Sequence, residues 1–340
     1  MAARLGFTDA QIADVLRKGL PKLNENDNAF TAALEAVPAE DWCRTWAAGR
    51  TIMLRRTSKR VKEVVDKMRL PAVVRLCRSV WRDSRNGTEK AKLECVLRQF
   101  AALTARCLIT AIELPKCEMK GQDAERLAGV LTQCPALAHI DLSGNSHFEA
   151  AGAERLAGVL GQCPALAHLN LSFNWIGAGG AKSLAGVLGQ CPALAHLNLY
   201  SNQIGPAGAE RLAGVLGQCP ALAHLNLGNN QIGPAGAESL AGVLAQCTAL
   251  AHLDLGYNQI SDAGEDSLAG VLAQCTALVH LNLSGNYIGA EGTQRLAGVL
   301  AQCPALATLD LSGNYNIGTD GRGRLRTSWR GQALGRALSL

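Results

Sequence analysis

The chain has 340 residues, a formal net charge of +5 and 48% hydrophobic residues, which fits a globular protein with a sizeable core and a smaller second region. Only 4% of the residues are aromatic, so the core must be aliphatic. No run approaches the roughly 18 uninterrupted apolar residues of a membrane span, and residues 1–20 lack the apolar centre of a signal peptide. From these features we expect an intracellular protein without a membrane span, in the cytoplasm or the nucleus.

Residues 1–105 predict a basic, all-helical domain ahead of the repeats described below. Thr8-Asp9 can cap a first helix, Pro38 opens a second, and Pro71 opens another that runs through Trp81. Repeat arrays need a terminal cap that covers their apolar end, so capping is one role for this domain.

The same region contains a strongly basic stretch. Residues 44–85 hold 13 Lys or Arg side chains against three acidic ones, a local charge of +10, together with Trp46 and Trp81. Such a stretch could bind nucleic acid or another anionic surface. Positive charge around helices more often only keeps them solvated, so a nucleic-acid-associated scaffold ranks third among the functions we consider.

Residues 36–70 carry a second signal, a helix that starts at Val37-Pro38 and a later segment that reads Ser58-Lys-Arg-Val61. These residues resemble a degenerate F-box, in which Val61 takes the place of the usual aromatic residue. The resemblance implies a substrate-recognition adaptor that presents captured proteins to a cullin-type ubiquitin ligase through residues 36–70. This adaptor role is the main alternative function.

Residues 106–320 repeat with a period of 28, apart from one interval of 29 that has an extra residue between Ser146 and Glu149. A fixed period of this size predicts a solenoid of stacked coils, here with about eight strands. The units begin at Ile109, Leu137, Leu166, Leu194, Leu222, Leu250, Leu278 and Leu306.

A single unit indicates how each coil is built. His196 and Asn198 alternate with leucines, which indicates a short strand with one buried face. Asn202 then turns the chain inward, and apolar side chains recur with helical spacing over residues 209–216 before Pro220 stops the helix. Because strands stack at roughly 4.8 Å and helices at roughly 8–10 Å, the stack must curve with its strands inside.

This unit resembles the leucine-rich repeats of the ribonuclease-inhibitor-like class, which also occur in NLR-type receptors. The resemblance covers Ile109 to about residue 320 and implies an α/β solenoid, a right-handed horseshoe of strand-turn-helix units. Members of the class are mostly protein-binding scaffolds, so it implies recognition of a partner protein on the concave face and in the loops after the strands. The sequence has no P-loop, so the resemblance to NLR-type receptors ends with the repeats.

Two sets of side chains are candidates for partner binding, because they lie on the predicted concave side. Aromatic residues, which dominate interface hot spots, occupy the strand-end positions that differ between copies: Phe173, Trp175, Tyr200, Tyr257, Tyr287 and Tyr315. A row of histidines follows the strands from His139 to His280, and the candidates in this row are His168, His196, His224 and His252. We therefore predict a non-catalytic scaffold that binds one or more proteins.

The repeated rows argue against other chemistry. Imidazoles at strand spacing could sense pH, but a flat row diverges, whereas a zinc site needs four converging ligands. Catalysis needs one convergent constellation, so we expect no metal, no cofactor and no enzymatic activity. Seven cysteines share one helical position, too far apart for disulfides, and should be buried, reduced thiols.

Residues 321–340 break the pattern and contain five arginines without an acidic side chain. We expect a basic tail that is not a repeat and leaves the last coil uncovered. Shifting the reading frame over residues 326–331 can restore repeat sequence. This leads to the hypothesis that the tail is an out-of-frame continuation of a longer array.

Overall fold

The computed structural model describes residues 71–75, 108–330 and 337–340. Ten strands form one sheet in the order of the sequence, all neighbouring pairs are parallel, and one helix lies between each two successive strands from β2 onward. None of the helices in these ranges has the length and hydropathy that crossing a membrane requires.

The strands are β1 (Pro71–Arg75), β2 (Leu108–Glu113), β3 (His139–Asp141), β4 (His168–Asn170), β5 (His196–Asn198), β6 (His224–Asn226), β7 (His252–Asp254), β8 (His280–Asn282), β9 (Thr308–Asp310) and β10 (Ala337–Ser339). The helices are α1 (Gly121–Leu131), α2 (Glu149–Leu160), α3 (Gly177–Leu188), α4 (Gly205–Leu216), α5 (Gly233–Leu244), α6 (Ser261–Leu272), α7 (Ala290–Val299) and α8 (Gly318–Arg330). Short 3-10 turns at Leu300–Gln302 and Tyr315–Ile317 follow α7 and precede α8.

Consecutive strands pair in the register of the repeat, so equivalent residues lie side by side. His196, for example, pairs with His168 on one side and His224 on the other. Between His168 and His280 the centroids of neighbouring imidazole rings are 4.0–4.2 Å apart, which is closer than the roughly 4.8 Å between strands. Side chains on this face therefore converge, as they do on a concave surface. The predicted α/β solenoid is confirmed.

The core lies between the sheet and the helices and is aliphatic, as predicted. In the coil that starts at Leu194, the side chains of Leu197, Leu199 and Ile204 are buried beneath the strand and its loop. Leu212 and Leu216 cover them from α4. Each fully buried side chain of this kind contributes roughly 1.5–3 kcal/mol to folding, and the contribution recurs in every coil.

Neighbouring helices approach closely because small residues line their interface. A Cβ atom on Gly208 would lie 2.5 Å from Ile204 Cγ2 and 3.2 Å from the Cβ atom of Ala181 in the preceding helix. Ala209, the next residue, is fully buried. The recurrent Gly-Ala pair is therefore a requirement of helix packing.

Buried asparagines form a continuous ladder along the solenoid. Asn202 Nδ2 donates to the carbonyl oxygens of Leu199, at 3.0 Å, and of Leu171 in the preceding coil, at 2.8 Å. Asn202 Oδ1 accepts the backbone N–H of Asn174 at 3.0 Å and of Ile176 at 3.3 Å. The predicted inward turn of this asparagine is thus correct. The ladder consists of Asn145, Asn174, Asn202, Asn230, Asn258, Asn286 and Asn314.

The seven repeated cysteines are free thiols, as predicted, and all except the half-buried Cys275 are buried. Burial raises the pKa of several of these thiols, and neighbouring cysteines raise it further. The pKa reaches about 11 in Cys134, Cys191, Cys247 and Cys275.

The helix predicted to begin at Pro71 is wrong over its first five residues. They form β1, which pairs with β2 and extends the sheet into the region that we expected to be all-helical. The β-branched Val73 and Val74 favour a strand, and proline is tolerated at the first position of a strand as well as of a helix. The F-box-like segment 36–70, and the basic stretch 44–85 apart from β1, lie outside the described residues.

The expected non-repeat tail over 321–340 is also corrected. Helix α8 crosses the predicted boundary, and β10 pairs with β9, so a further coil follows where we expected the array to stop. Leu325 and Trp329 are buried, four residues apart on one helical face, which is sufficient to seat α8 on α7. Arg324 and Arg326 lie exposed. The out-of-frame origin of these residues stays a prediction.

Candidate protein-binding surface

The concave face forms an open hollow of about 590 Å³ over strands β5 to β9. The central leucine of each strand is buried, so the residues on either side of it face the hollow. Each strand contributes one residue of the histidine row, replaced by Thr308 in β9, and one residue of an Asn/Asp row. Hydrogen-bonding groups therefore line the hollow, and Asp254 and Asp310 add carboxylates.

The histidines form a stacked column along this hollow. From His168 to His280 the planes of neighbouring rings differ by 14°, whereas His139 and His168 are 5.5 Å apart and tilted by 41°. Burial lowers the pKa of four members, and the neighbouring imidazoles lower it further. These four are His168, His196, His224 and His252. The column therefore favours the neutral imidazole.

The geometry of the column does not resemble a metal centre. Nearly parallel rings place their nitrogens side by side, whereas a zinc site needs ligands that converge tetrahedrally on one point. In the ranges that the structure describes, no group of three or more His, Cys, Asp or Glu side chains could hold a metal ion.

The Asn/Asp row holds the loops that follow the strands. Asp254 Oδ1 accepts the backbone N–H of Gly256 at 2.9 Å, and Asp310 Oδ1 accepts that of Ser312 at 2.9 Å. Asn282 lies between these aspartates in register and donates Nδ2 to Asp254 Oδ1 at 3.0 Å. Asn and Asp therefore accept the same hydrogen bond from the loop backbone, but only Asp adds a negative charge to the hollow.

Five aromatic side chains at the strand ends are at least half exposed. Within the described residues they are the exposed large hydrophobic side chains: Phe173 at 52%, Trp175 at 59%, Tyr257 at 58%, Tyr287 at 63% and Tyr315 at 87%. Tyr200 differs, because it is half-buried and its ring centroid lies 5.1 Å from that of Phe173. The six residues form two groups. Phe173, Trp175 and Tyr200 follow β4 and β5, and the other three tyrosines follow β7, β8 and β9.

Four of these aromatic residues have a left-handed backbone. The φ angles are 58° in Phe173, 55° in Trp175, 58° in Tyr257 and 61° in Tyr287. The same loop positions hold Asn, Ser, Gln or Gly in other coils. For a bulky residue this conformation costs on the order of 1–3 kcal/mol, which the surrounding coil must offset.

Two acidic side chains at the interface between α6 and α7, Glu265 and Asp262, were not identified from the sequence. Glu265 is fully buried at a position where the five preceding coils have alanine, and neither carboxyl oxygen has a hydrogen-bond partner among the described residues. Burial, and then Asp266, raise the pKa of Glu265 to about 8, against the opposing effect of a nearby arginine. Asp262 Oδ1 accepts the N–H groups of Gly289 at 2.6 Å and Gly292 at 3.1 Å. The signal was present as an Ala-to-Glu change in an otherwise copied unit.

A family model described as leucine-rich repeat matches five segments of the chain. They are residues 162–185, 190–213, 218–241, 246–269 and 274–297. Each segment runs from the end of one helix through the next strand and loop into the following helix. No curated protein matches the chain.

Three solved structures are similar to the solenoid in fold. The C-terminal domain of tropomodulin from Caenorhabditis elegans is 13% identical, with 44% of this chain and 91% of that one covered and a TM-score of 0.39. The leucine-rich repeat-containing protein LegL7 from Legionella pneumophila is 21% identical, with 66% and 72% covered and a TM-score of 0.43. Actin-binding site 2 of leiomodin-1 is 18% identical, with 45% and 91% covered and a TM-score of 0.34.

Sequence pattern, coil geometry and family model agree on the repeat region. The buried leucines, the asparagine ladder and the parallel strand in each coil account for the residues that the repeats share. The five matched segments lie within these coils. Residues 162–297 are therefore built from leucine-rich repeats.

Proposed function

We propose that this protein is a non-catalytic scaffold that binds a partner protein through the concave face and strand-end loops of its repeats. One observation carries the proposal: in the described part of the chain, the exposed large hydrophobic side chains all lie on these loops. Tyr and Trp dominate interface hot spots because they offer a large, rigid contact area. Clustered exposure of such side chains typically marks an interaction site.

The backbone conformation of these loops supports the same function. Trp175 and Tyr287 stand at a position of positive φ where Gln203, Gln231 and Gln259 stand in other coils. Glutamine adopts the same backbone conformation at this position and exposes no aromatic ring to water. The fold of these coils therefore does not require the aromatic side chains, which supports a role for them in binding.

The arrangement of polar groups on the concave face favours binding over catalysis. His and Asn/Asp side chains recur in straight rows along the strands. Acid-base or nucleophilic catalysis needs a nucleophile, a base and an orienting group that converge on one point. Leucine-rich repeats are typically protein-binding units without catalytic activity.

Affinity capture with substituted protein tests the proposal. The variant combines Trp175→Gln, Tyr257→Asn and Tyr287→Gln, which are the residues that this chain uses at the same loop positions in other coils. We expect proteins captured by the unsubstituted chain to be depleted about ten-fold or more, because hot-spot aromatics are lost. A control with Gln231→Asn should retain the full captured set. An unchanged set with the aromatic variant would contradict the proposal.

The same capture separates the functions considered for the amino-terminal region. A Skp-type ubiquitin ligase subunit that is retained by the aromatic variant would support the adaptor function through residues 36–70. RNA that is retained and then released by salt would support the nucleic-acid-associated scaffold.

A further inference from the structure

The two aromatic groups lie among loops of different charge. The strands and loops of the middle coils contain no Asp, Glu, Lys or Arg; they span residues 168–179, 196–207 and 224–235. The corresponding segments of the last coils contain five carboxylates and no Lys or Arg; they span residues 252–262, 280–291 and 308–320. The second aromatic group is thus surrounded by negative charge, although the whole chain has a net charge of +5.

The carboxylates in these last coils differ in whether they can contact a partner or are already bonded to the backbone. Asp262 is committed to the fold, because Oδ1 accepts two backbone N–H groups at the start of α7. Asp254 and Asp310 use Oδ1 to hold their loops, and both line the hollow. Glu291 lies exposed in the first turn of α7.

We give the name acidic tyrosine edge to a set of tyrosines and carboxylates on strands β7 to β9 and in the segments that follow them, of which Asp254 and Asp310 line the hollow. It consists of Asp254, Tyr257, Tyr287, Glu291, Asp310 and Tyr315. We infer that the acidic tyrosine edge is the docking surface for an Arg- and Lys-rich segment of a partner protein. The inference rests on the proposed scaffold function and names the chemistry of the partner.

The chemistry of the edge fits side chains that are long and cationic. Tyr257, Tyr287 and Tyr315 are at least half exposed, and guanidinium or ammonium groups are attracted to the faces of such rings. A guanidinium group can also form paired hydrogen bonds with a carboxylate. Tyrosines and carboxylates in one place therefore give each cation a ring to stack on and an opposite charge.

The spacing of the edge fits an extended segment. Asp254 and Asp310 lie two strands apart, on β7 and β9, and neighbouring strands are separated by roughly 4.8 Å, so their backbones are roughly 10 Å apart and their carboxylates, on the concave face, lie somewhat closer. An extended chain advances by about 3.3 Å per residue, so basic side chains two or three residues apart can reach both aspartates.

The sign of the charge decides between classes of partner. Nucleic acids and anionic membranes carry negative charge and are repelled by this surface. An apolar segment has a better match in the uncharged loops around Phe173 and Trp175. A basic protein segment is the partner that gains from both the tyrosines and the carboxylates.

Fluorescence anisotropy with the full chain tests the inference. The probe is a labelled peptide of alternating Arg and Gly, and the comparison peptide has Glu in place of Arg. The test variant combines Asp254→Asn and Asp310→Asn, since Asn is the residue of this row at Asn226 and Asn282 and keeps the loop hydrogen bond. A second variant combines Tyr257→Asn and Tyr287→Gln.

The matched control removes two carboxylates from the helical side of the solenoid. Glu210 and Glu238 are exposed on α4 and α5, so the control combines Glu210→Gln and Glu238→Gln. We expect the Arg peptide to bind the unsubstituted chain, and affinity to fall about ten-fold or more in both edge variants. The control should stay within about two-fold, because exposed charges beyond a Debye length are screened.

Three results would overturn the inference. They are no binding of the Arg peptide, equal binding of the Glu peptide, and a loss in the helical-side control as large as that in the aspartate variant. The proposed scaffold function is judged separately by partner capture. If capture needs the aromatic residues but is unchanged by the aspartate substitutions, the scaffold function stands and the basic partner is wrong.

Discussion

The ring of Tyr257 lies against Gly285 in the next coil, where an added Cβ atom would come within 2.6 Å of the tyrosine Cδ1 atom. Tyr200 and Gly228 have the same relationship at the loop position that lies one residue closer to the strand. There the Cβ-to-Cδ2 distance is 2.9 Å. In both pairs the glycine stands 28 residues after the tyrosine. The absence of a side chain in one copy thus makes room for the aromatic ring of the copy before it.

We expect Gly228→Ala to destabilise the protein by about 1 kcal/mol, because the new methyl group overlaps the half-buried ring of Tyr200. Tyr200→Ser removes the ring and introduces the residue found at this position in Ser172 and Ser284. The cost of Gly228→Ala should disappear when Tyr200→Ser is also present. Denaturant titration of the two single variants and the double variant measures the coupling, and independent effects would show that the ring and glycine are not in contact.

The asparagine ladder makes Asn230→Asp a severe change. Asn230 Nδ2 donates to the carbonyl oxygens of Leu199 and Leu227, both at 2.9 Å, and a carboxylate would place negative charge against them. Loss of buried hydrogen bonds and burial of an unpaired charge should together cost about 3 kcal/mol or more.

The neighbouring residue provides the matched control for this change. Asn229 is exposed and has φ of 55°, a conformation that Asp also tolerates. Asn229→Asp should change the free energy of unfolding by less than about 0.5 kcal/mol. Equal effects of the two substitutions, measured by urea unfolding, would rule out a structural role for the ladder.

Glu265→Ala should stabilise the protein, and the gain should grow with pH. The pKa of Glu265 is raised by burial from 4.5 to about 8, so folding takes up a proton in this interval. The folded state therefore loses stability as pH rises from about 4.5 towards 8, and alanine removes that loss. Alanine also fits, because it occupies this position in Ala209 and Ala237.

Thermal unfolding at several pH values between 4.5 and 8 measures this effect. The control is Glu238→Ala, one coil earlier on the exposed side of α5. Its effect on the melting temperature should be the same throughout this range. A pH-independent effect of Glu265→Ala would show that the carboxyl group is not buried as described.

Acidification should destabilise the repeat region through the histidine column. The pKa values of His196 and His224 are lowered from 6.5 by burial and by neighbouring imidazoles, so folding favours the neutral ring. The stability that this provides is present above pH 6.5 and is lost as the pH falls through the lowered values. Replacing both residues with threonine, which β9 uses at Thr308, should reduce the fall in melting temperature. His147→Thr, in an exposed loop outside the column, should leave that fall unchanged.

The repeated thiols should resist alkylation in the folded protein. Burial raises the pKa of Cys191 and Cys247 to about 11, so little thiolate is present near pH 8. Iodoacetamide labelling followed by peptide mapping should show slow modification that becomes rapid in denaturant. Cys275, which is half-buried, should react first among the repeated cysteines. Rapid labelling of Cys191 in the native protein would contradict the packing described.

Repetition made most of the coil predictable from sequence. Copies differ at few positions, so the shared Leu, Asn and Ala positions identified strand, turn and helix, and pairing follows with His196 beside His224. The positions of the exposed aromatic residues followed in the same way. The half-burial of Tyr200 did not, because it depends on Phe173 and on the glycine of the following coil.

The incorrect predictions fall where the pattern is incomplete. Pro71 is compatible with the start of a helix or of a strand, and only pairing with β2 decides between them. In α8 the alanines of the other helices are missing, although Gly321 keeps the close approach between helices and Leu325 and Trp329 keep the two apolar positions that the packing needs. Glu265 is visible as a departure from alanine, but its burial depends on the approach of α7.

The hydrogen bonds of the asparagine ladder run in one direction and are the same at each step. Asn202 Oδ1 accepts from Asn174, and Asn230 Oδ1 accepts from Asn202, so each coil offers its neighbours identical donors and acceptors. Deleting or duplicating one whole 28-residue unit therefore rejoins the ladder without a mismatch, and the 29-residue interval keeps it intact, since Asn174 Oδ1 accepts the backbone N–H of Asn145 at 2.8 Å. Each added or deleted coil therefore changes the length of the binding surface by about 4.8 Å, and the hydrogen bonds between neighbouring coils stay the same.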